Sequence, residues 1–271
     1  MPELPEVETT KRGIEPHISK KEIDSVYVSK YDLRIKFNKN KKNNILNTKI
    51  VGVRRRAKYI LIDFENSYSL LIHLGMTGNL RVSDTLGLEK HDHIAFSLNS
   101  KKHLIYNDVR RFGLILIIKT EQKHRLLENN GPDPFEKKAD YKYFQEKIKS
   151  SQSTIKSILL NNKIISGIGN IYACEILFAS KISPLKTGSS ITQSECKTIL
   201  KNSKKILKKA IHAGGTTLND YFNADAKPGY FKIQLNVYDR ETEVCKKCTQ
   251  KIKRIIQNGR STFFCSKCQL K

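Results

Sequence analysis

Four cysteines near the C-terminus have the spacing of a metal site: Cys245 and Cys248 form one CxxC pair, Cys265 and Cys268 another, with sixteen residues between the pairs. Each CxxC turn presents two thiolates from one knuckle, and Zn²⁺ takes four soft ligands in a tetrahedron. Four thiolates leave no open position for water, so the expected ion is structural, one Zn²⁺ per chain. Between the pairs, RIIQNGRSTFF reads as a β-hairpin turning at Asn258-Gly259. Arg260 then lies at the hairpin tip, where a guanidinium binds phosphate or enters a DNA groove, unless it is simply solvated.

The other end of the chain reads MPELPEVET. With Met1 removed, the Pro2 nitrogen becomes a free secondary amine, with Glu3 and Glu6 close by; a solvated tail has the same composition. In RRRAKY (54–59), neighbouring cations lower the pKa of Lys58 toward acid–base use, or the segment is a solvated basic face. NNKIISGIGNIYACEILF (161–178) reads as helix, Gly-x-Gly-Asn turn, helix. Bare amides ahead of a helix suit a phosphate, and Lys156 upstream favours that reading over a packing turn. HLGMTGNL (73–80) sets Met76 between two glycines, as a wedge between stacked bases or as a core residue. DVRRFG (108–113) joins Arg110 and Arg111 to Phe112, and His91 in KHDH is a phosphate contact or a surface histidine.

Charge narrows the partner. Lys+Arg number 50 against 26 Asp+Glu, a formal +24, and the pI is near 9.8. Such an excess points to a polyanion, with nucleic acid first. A compositional bias toward Lys and Asn, as in NKNKKNN (38–44), explains lysines but not the missing acid. No apolar run has the length of a membrane span, and no signal-peptide core is present, so no membrane partner is expected. Two CxxC pairs and two isolated cysteines do not make an extracellular disulfide framework; a reducing cytosol fits.

These residues need a scaffold, and 271 residues suffice for two domains. EVETTKR predicts a short helix ending at Gly13. From 23 to 118, LRIKF, YILIDF, LLIHL, IAFSL and FGLILII predict strands of a two-layer β-sandwich. GPDPF (131–135) reads as a linker. Beyond it come helical stripes (Ile155, Ile158, Leu159; then Ile171, Cys174, Leu177, Phe178) and a longer helix over about 192–213 stopping at Gly214-Gly215.

Taken in order, MPELPEVET, RRRAKY, HLGMTG, KHDH, RRFG, GIGNIYACEILF, GGTTL, KPGYF and the cysteine hairpin resemble the bacterial formamidopyrimidine-DNA glycosylases over essentially the whole chain. The resemblance implies an α+β fold: an N-terminal helix with a β-sandwich catalytic domain (1–131), a helix-two-turn-helix domain (132–235) and a zinc-finger β-hairpin (236–271). It implies a monomeric, cytoplasmic, nucleoid-associated enzyme of bacteria that binds double-stranded DNA containing oxidised bases. Such enzymes excise 8-oxoguanine and formamidopyrimidines and then nick the abasic strand.

Residue by residue, the resemblance makes Pro2 the nucleophile at the sugar C1′, forming a Schiff base that drives β- and then δ-elimination. Glu3 becomes the acid, Lys58 a proton donor and phosphate contact, and Arg260 a phosphate ligand tied to δ-elimination. His73, His91, Arg110, Lys156 and Asn170 match DNA-backbone contacts; Met76, Arg110 and Phe112 match the residues that fill the gap left by an everted nucleotide. Thr217 and Tyr230 lie where the family closes over the lesion. Val109 replaces a usual proline, and Ser150–Ser153 lack lysines common there. Two other readings are an endonuclease VIII-like glycosylase for oxidised pyrimidines, whose usual Pro-Glu-Gly-Pro start differs, and a non-catalytic zinc-ribbon DNA-binding protein.

Overall fold

The computed structural model describes residues 2–216 and 234–270, so the expectations for Met1, Thr217 and Tyr230 fall outside the described residues. The chain divides into two compact units. One runs to Leu127 and takes in Ile211–Thr216; the other comprises Glu128–Ala210 and the described residues from Gln234 onward.

Among the described residues of the first unit, helix α1 (Leu4–Ile18) leads into eight strands: β1 (Ile23–Val28), β2 (Ile50–Arg56), β3 (Tyr59–Phe64), β4 (Tyr68–His73), β5 (Gly78–Ser83), β6 (Asp92–Leu98), β7 (His103–Asp108) and β8 (Leu114–Lys119). They form two four-stranded sheets, β1-β6-β7-β5 and β2-β3-β4-β8, antiparallel throughout. Apolar residues from both sheets and from α1 make one core, including Ile14, Ile18, Ile62, Ile72, Phe96 and Ile115. The sandwich is therefore built as the alternating strand patterns require.

Two local expectations need correction. The first helix does not stop at Gly13 but continues through Pro16 to Ile18. A mid-helix glycine costs about 1 kcal/mol, and burying a side chain such as Ile14 or Ile18 returns roughly 1.5–3 kcal/mol. LRIKF forms no strand, despite its alternation. It buries Leu33 and Phe37, and its backbone is held to the β8 side by one bond, Arg34 N–H to the Gly113 carbonyl at 3.1 Å. One bond does not make a ladder.

After a one-turn helix α2 (Arg125–Glu128), the second unit contains α3 (Tyr141–Ile148), α4 (Ile155–Leu159), α5 (Asn170–Ser180), most of α6 (Gln193–His212) and the hairpin β9 (Lys253–Gln257) with β10 (Arg260–Phe264). α6 ends before Gly214 and Gly215, whose φ values of 77° and 85° suit glycine. α5 buries far more than one stripe: Ile171 through Phe178 are all buried. Among the described residues, no helix is long and apolar enough to cross a membrane.

Candidate active site and nucleic-acid interface

Glu6 organises the start of the chain. Its Oε2 accepts the Glu3 N–H at 2.8 Å, and its Oε1 accepts the Thr216 N–H at 2.8 Å. The E-x-x-E spacing makes this a capping box at the mouth of α1, with Pro2 and Glu3 buried just ahead of the first turn. One carboxylate thus holds the N-terminal backbone and the Gly215-Thr216 turn together.

Lys58 occupies the two-residue turn between β2 and β3, and only 7% of it is exposed. Arg55 braces that turn against the helix: its Nε donates to Glu8 Oε2 at 2.8 Å, and its Nη1 to the Ala57 carbonyl at 2.9 Å. Burial raises the Glu8 pKa, but Arg55 and Arg12 outweigh it and hold the carboxyl below its ordinary value. Tyr59, next to Lys58, pairs across the sheet with His73, their rings 4.9 Å apart. Burial, followed by the charges of Arg34 and Lys58, pushes the His73 pKa down to about 3. Its Nδ1 accepts the Gly75 N–H at 3.0 Å, which leaves the proton of the neutral ring on Nε2. His73 therefore offers a neutral donor rather than a charge.

The β4–β5 and β7–β8 turns are built as one piece. Asp108, fully buried, accepts from Thr77 Oγ1 at 2.6 Å through one oxygen, and from the Gly113 N–H at 2.8 Å and the Tyr106 hydroxyl at 3.3 Å through the other. Burial first, and then Asp108, raise the Tyr106 pKa. Gly75 has φ 65°, and a Cβ there would lie 2.4 Å from the Gly113 nitrogen, so the two turns touch only because glycine is present. Together they expose Met76 (38%) and Phe112 (47%), with the Arg110 guanidinium 4.6 Å from the Phe112 ring centroid. His91 precedes β6 in a left-handed conformation, φ 73°. A cation beside an apolar tip is suited to filling a gap in stacked bases.

The second unit carries the remaining cations. Lys156, 1% exposed, donates to the Ser261 carbonyl at 2.9 Å and to Thr262 Oγ1 at 2.7 Å. Asn170, at the first turn of α5, donates to the same carbonyl at 2.9 Å, and its Oδ1 is buried without a partner among the described residues. Asn258 Nδ2 bonds Ser157 Oγ at 3.0 Å, seating the hairpin tip on α4. Beside them a cleft of about 210 Å³ is lined by Lys156, Asn161, Asn258 and the exposed Arg260, a set of donors suited to an anion. The Asn258-Gly259 turn has φ values of 48° and 71°, as a tight hairpin requires.

The cysteines fit their metal. Their four Sγ atoms all lie within 4.8 Å of one another, and all six cysteines of the chain are free of disulfides. Zn–S bonds of about 2.3 Å put tetrahedral sulfurs roughly 3.8 Å apart. Here Cys245–Cys268 measures 4.0 Å, Cys248–Cys268 3.5 Å and Cys248–Cys265 3.4 Å. The site holds one structural zinc. Around it, Cys174 and Phe178 of α5 pack with Val237, Ile252 and Phe263.

Three contributors were not singled out from the sequence. Thr77 and Asp108 sit inside quoted motifs, yet their partnership spans thirty-one residues. Glu175 is buried in α5 and accepts three successive amides, Asn236, Val237 and Tyr238, at 2.8–3.0 Å. A lone carboxylate inside IYACEILF was the available signal for it.

The paired sheets, the helical unit and the four-cysteine hairpin define an α+β zinc-finger protein with cation-rich sites. Comparison with known families is specific. Residues 1–115 match the formamidopyrimidine-DNA glycosylase N-terminal domain, 130–221 the formamidopyrimidine-DNA glycosylase H2TH domain, and 241–270 a zinc finger found in FPG and IleRS. The formamidopyrimidine-DNA glycosylase of Rickettsia africae is 44% identical over 271 residues, 99% of each chain, and that of Rickettsia bellii 42%. The MutM (Fpg) protein of Thermus thermophilus superposes with a TM-score of 0.90 at 32% identity, covering 99% of this chain and 98% of that one. Lactococcus lactis Fpg in complex with abasic-site DNA gives 0.90 at 34% identity, covering 99% and 100%. The chain belongs to the formamidopyrimidine-DNA glycosylase family.

Proposed function

We propose that this protein is a base-excision-repair enzyme, a bifunctional DNA glycosylase and abasic-site lyase that removes oxidised purines from duplex DNA. The observation that carries the reading is the anchoring of the Pro2–Glu3 backbone by Glu6, which makes these two residues a fixed part of the fold. A nucleophile must be held near its target, and a loose tail would lose that advantage. Pro2, freed of Met1, attacks C1′ and the base departs; the resulting iminium carries positive charge without a further proton. It acidifies the C2′ hydrogen, and β- and then δ-elimination follow. A free α-amine has an ordinary pKa of about 7.7–8.0, so a useful fraction is neutral in the cell.

Glu3 supplies the acid that protonates the leaving base or sugar ring, and Lys58 donates a proton and contacts phosphate. His73, His91, Lys156, Asn170 and Arg260 bind the backbone, with Arg260 also promoting δ-elimination. Met76, Arg110 and Phe112 fill the gap left by the everted nucleotide, and Thr217 and Tyr230 close over it. Catalysis belongs to residues 1–131, duplex grip to the helix-two-turn-helix region (132–235) and the hairpin (236–271). The enzyme works as a monomer on chromosomal DNA in the bacterial cytoplasm.

Borohydride trapping on an 8-oxoguanine:C duplex, followed by N-terminal sequencing of the cross-link, tests this reading. A cross-link at Pro2 is expected. A cross-link at Lys58 with Pro2 free would falsify the assignment of the nucleophile, and trapping on oxidised pyrimidines alone would move the enzyme to the endonuclease VIII-like branch.

A further inference from the structure

Among the described residues the sheet β2-β3-β4-β8 ends on β8, so the side of that strand away from β4 is an edge. Four consecutive residues of the strand, Leu116, Ile117, Ile118 and Lys119, line a groove of about 830 Å³ along it. Successive side chains of a strand point to opposite faces, so a wall made of four in a row is a backbone edge. Such an edge turns every second N–H and C=O outward. Among the described residues, no backbone bond other than the β4 ladder reaches residues 115–118.

The remaining walls are cationic and apolar. Lys36, Lys41, Lys123 and Arg125 surround the groove, Ile35 and Tyr68 add apolar surface, and among the described residues no carboxylate lines it. Of these cations only Lys36 has an ion-pair partner among the described residues, Asp32 at 3.7 Å. Burial, with Arg125 and Lys41 beside it, holds His124 of the same groove below its ordinary pKa. The groove runs from Leu116 to Lys119, toward the Tyr68–Lys119 end of the β4–β8 ladder, whereas His73 pairs with Leu114 at the other end.

We propose that this groove docks an extended acidic segment of a partner protein, which adds to β8 as a fifth strand. Main-chain bonds to the open edge supply affinity, and alternating side chains supply selectivity. Carboxylates on one face of the segment meet the lysines and Arg125, while apolar residues on the other meet Ile35 and the β8 side chains. A nucleic-acid backbone fits less well: it has no use for a row of strand carbonyls, which repel phosphate, or for an apolar floor.

A fluorescent octapeptide of alternating Asp and Val, titrated by anisotropy against the full-length zinc-loaded protein, is the probe. Saturable binding is expected. Lys119→Glu with Lys123→Glu should weaken it by about tenfold or more, and so should N-methylation of whichever alternate set of peptide amides faces β8. The double variant should hold undamaged duplex DNA within about twofold of the parent, which also reports that it is folded. Three outcomes overturn the proposal: no saturable binding, indifference to both N-methylation patterns, or a parallel loss of duplex affinity in the double variant. The last would make the groove part of the nucleic-acid surface.

Discussion

Thr77 donates its hydroxyl proton to Asp108 at 2.6 Å, and the same oxygen accepts the Arg110 N–H at 3.0 Å. One side chain thereby couples the turn that carries Met76 to the turn that carries Arg110 and Phe112. The wedge is a unit rather than three separate residues. Thr77→Val keeps the shape but leaves a buried carboxylate oxygen and an amide short of partners, a cost of about 1–3 kcal/mol. Base excision from lesion duplex should fall by tenfold or more, while duplex affinity changes little and cleavage of a ready-made abasic site persists. Single-turnover kinetics on the two substrates separates these steps; an unchanged excision rate would detach the wedge from Thr77.

Glu6 makes a second separable prediction. Glu6→Gln retains one acceptor oxygen and turns an NH₂ toward an amide, so either the Glu3 or the Thr216 N–H loses this acceptor. Borohydride trapping should slow at least tenfold, with about 1–2 kcal/mol lost from stability. Gly215→Ala should act in the same direction, since its φ is 85° and its Cβ would lie 3.1 Å from Glu6 Oε1. Parent-rate trapping in Glu6→Gln would show that the N-terminus is held without it.

His73 predicts a pH dependence. Its folded pKa of about 3 lies below the ordinary 6.5, so below pH 6.5 the unfolded chain binds a proton that the folded chain refuses. Stability therefore rises with pH between about 3 and 6.5 and is lost on acidification through that window, by up to about 1.4 kcal/mol per pH unit from this group. Urea titrations from pH 7 to 4.5 should show a shallower acid loss in His73→Gln than in the parent. An NMR titration that finds His73 protonated at pH 6 would refute the neutral-donor assignment.

Zinc should be present at one per chain and act through the hairpin. Ser261, Thr262 and Asn258 bond Lys156, Asn170 and Ser157, so loss of the ion should release Arg260 and uncover the carbonyl shared by Lys156 and Asn170. Cys248→Ser, or chelation, should weaken binding to lesion and undamaged duplex alike. Pro2 chemistry should survive on whatever DNA still binds. Active protein free of zinc on metal analysis would defeat this account.

Much of this protein is legible from local chemistry. The CxxC spacing, the Asn-Gly turn, the strand patterns other than LRIKF and the Gly214-Gly215 stop depend on neighbours in the chain, and each is built as its residue types demand. Ordered along 271 residues, the motifs also suffice to indicate the family. Where sequence reading failed, distant burial had the deciding energy: α1 runs past Gly13 because Ile14 and Ile18 enter the core, and LRIKF packs without joining a sheet. Other features have no sequence signature because their partners lie far apart in the chain. The Thr77–Asp108 clamp, the grip of Glu6 on Thr216, the burial of Lys156 under the hairpin and the neutral state of His73 arise only when folding excludes water and sets a charge or donor beside a particular oxygen.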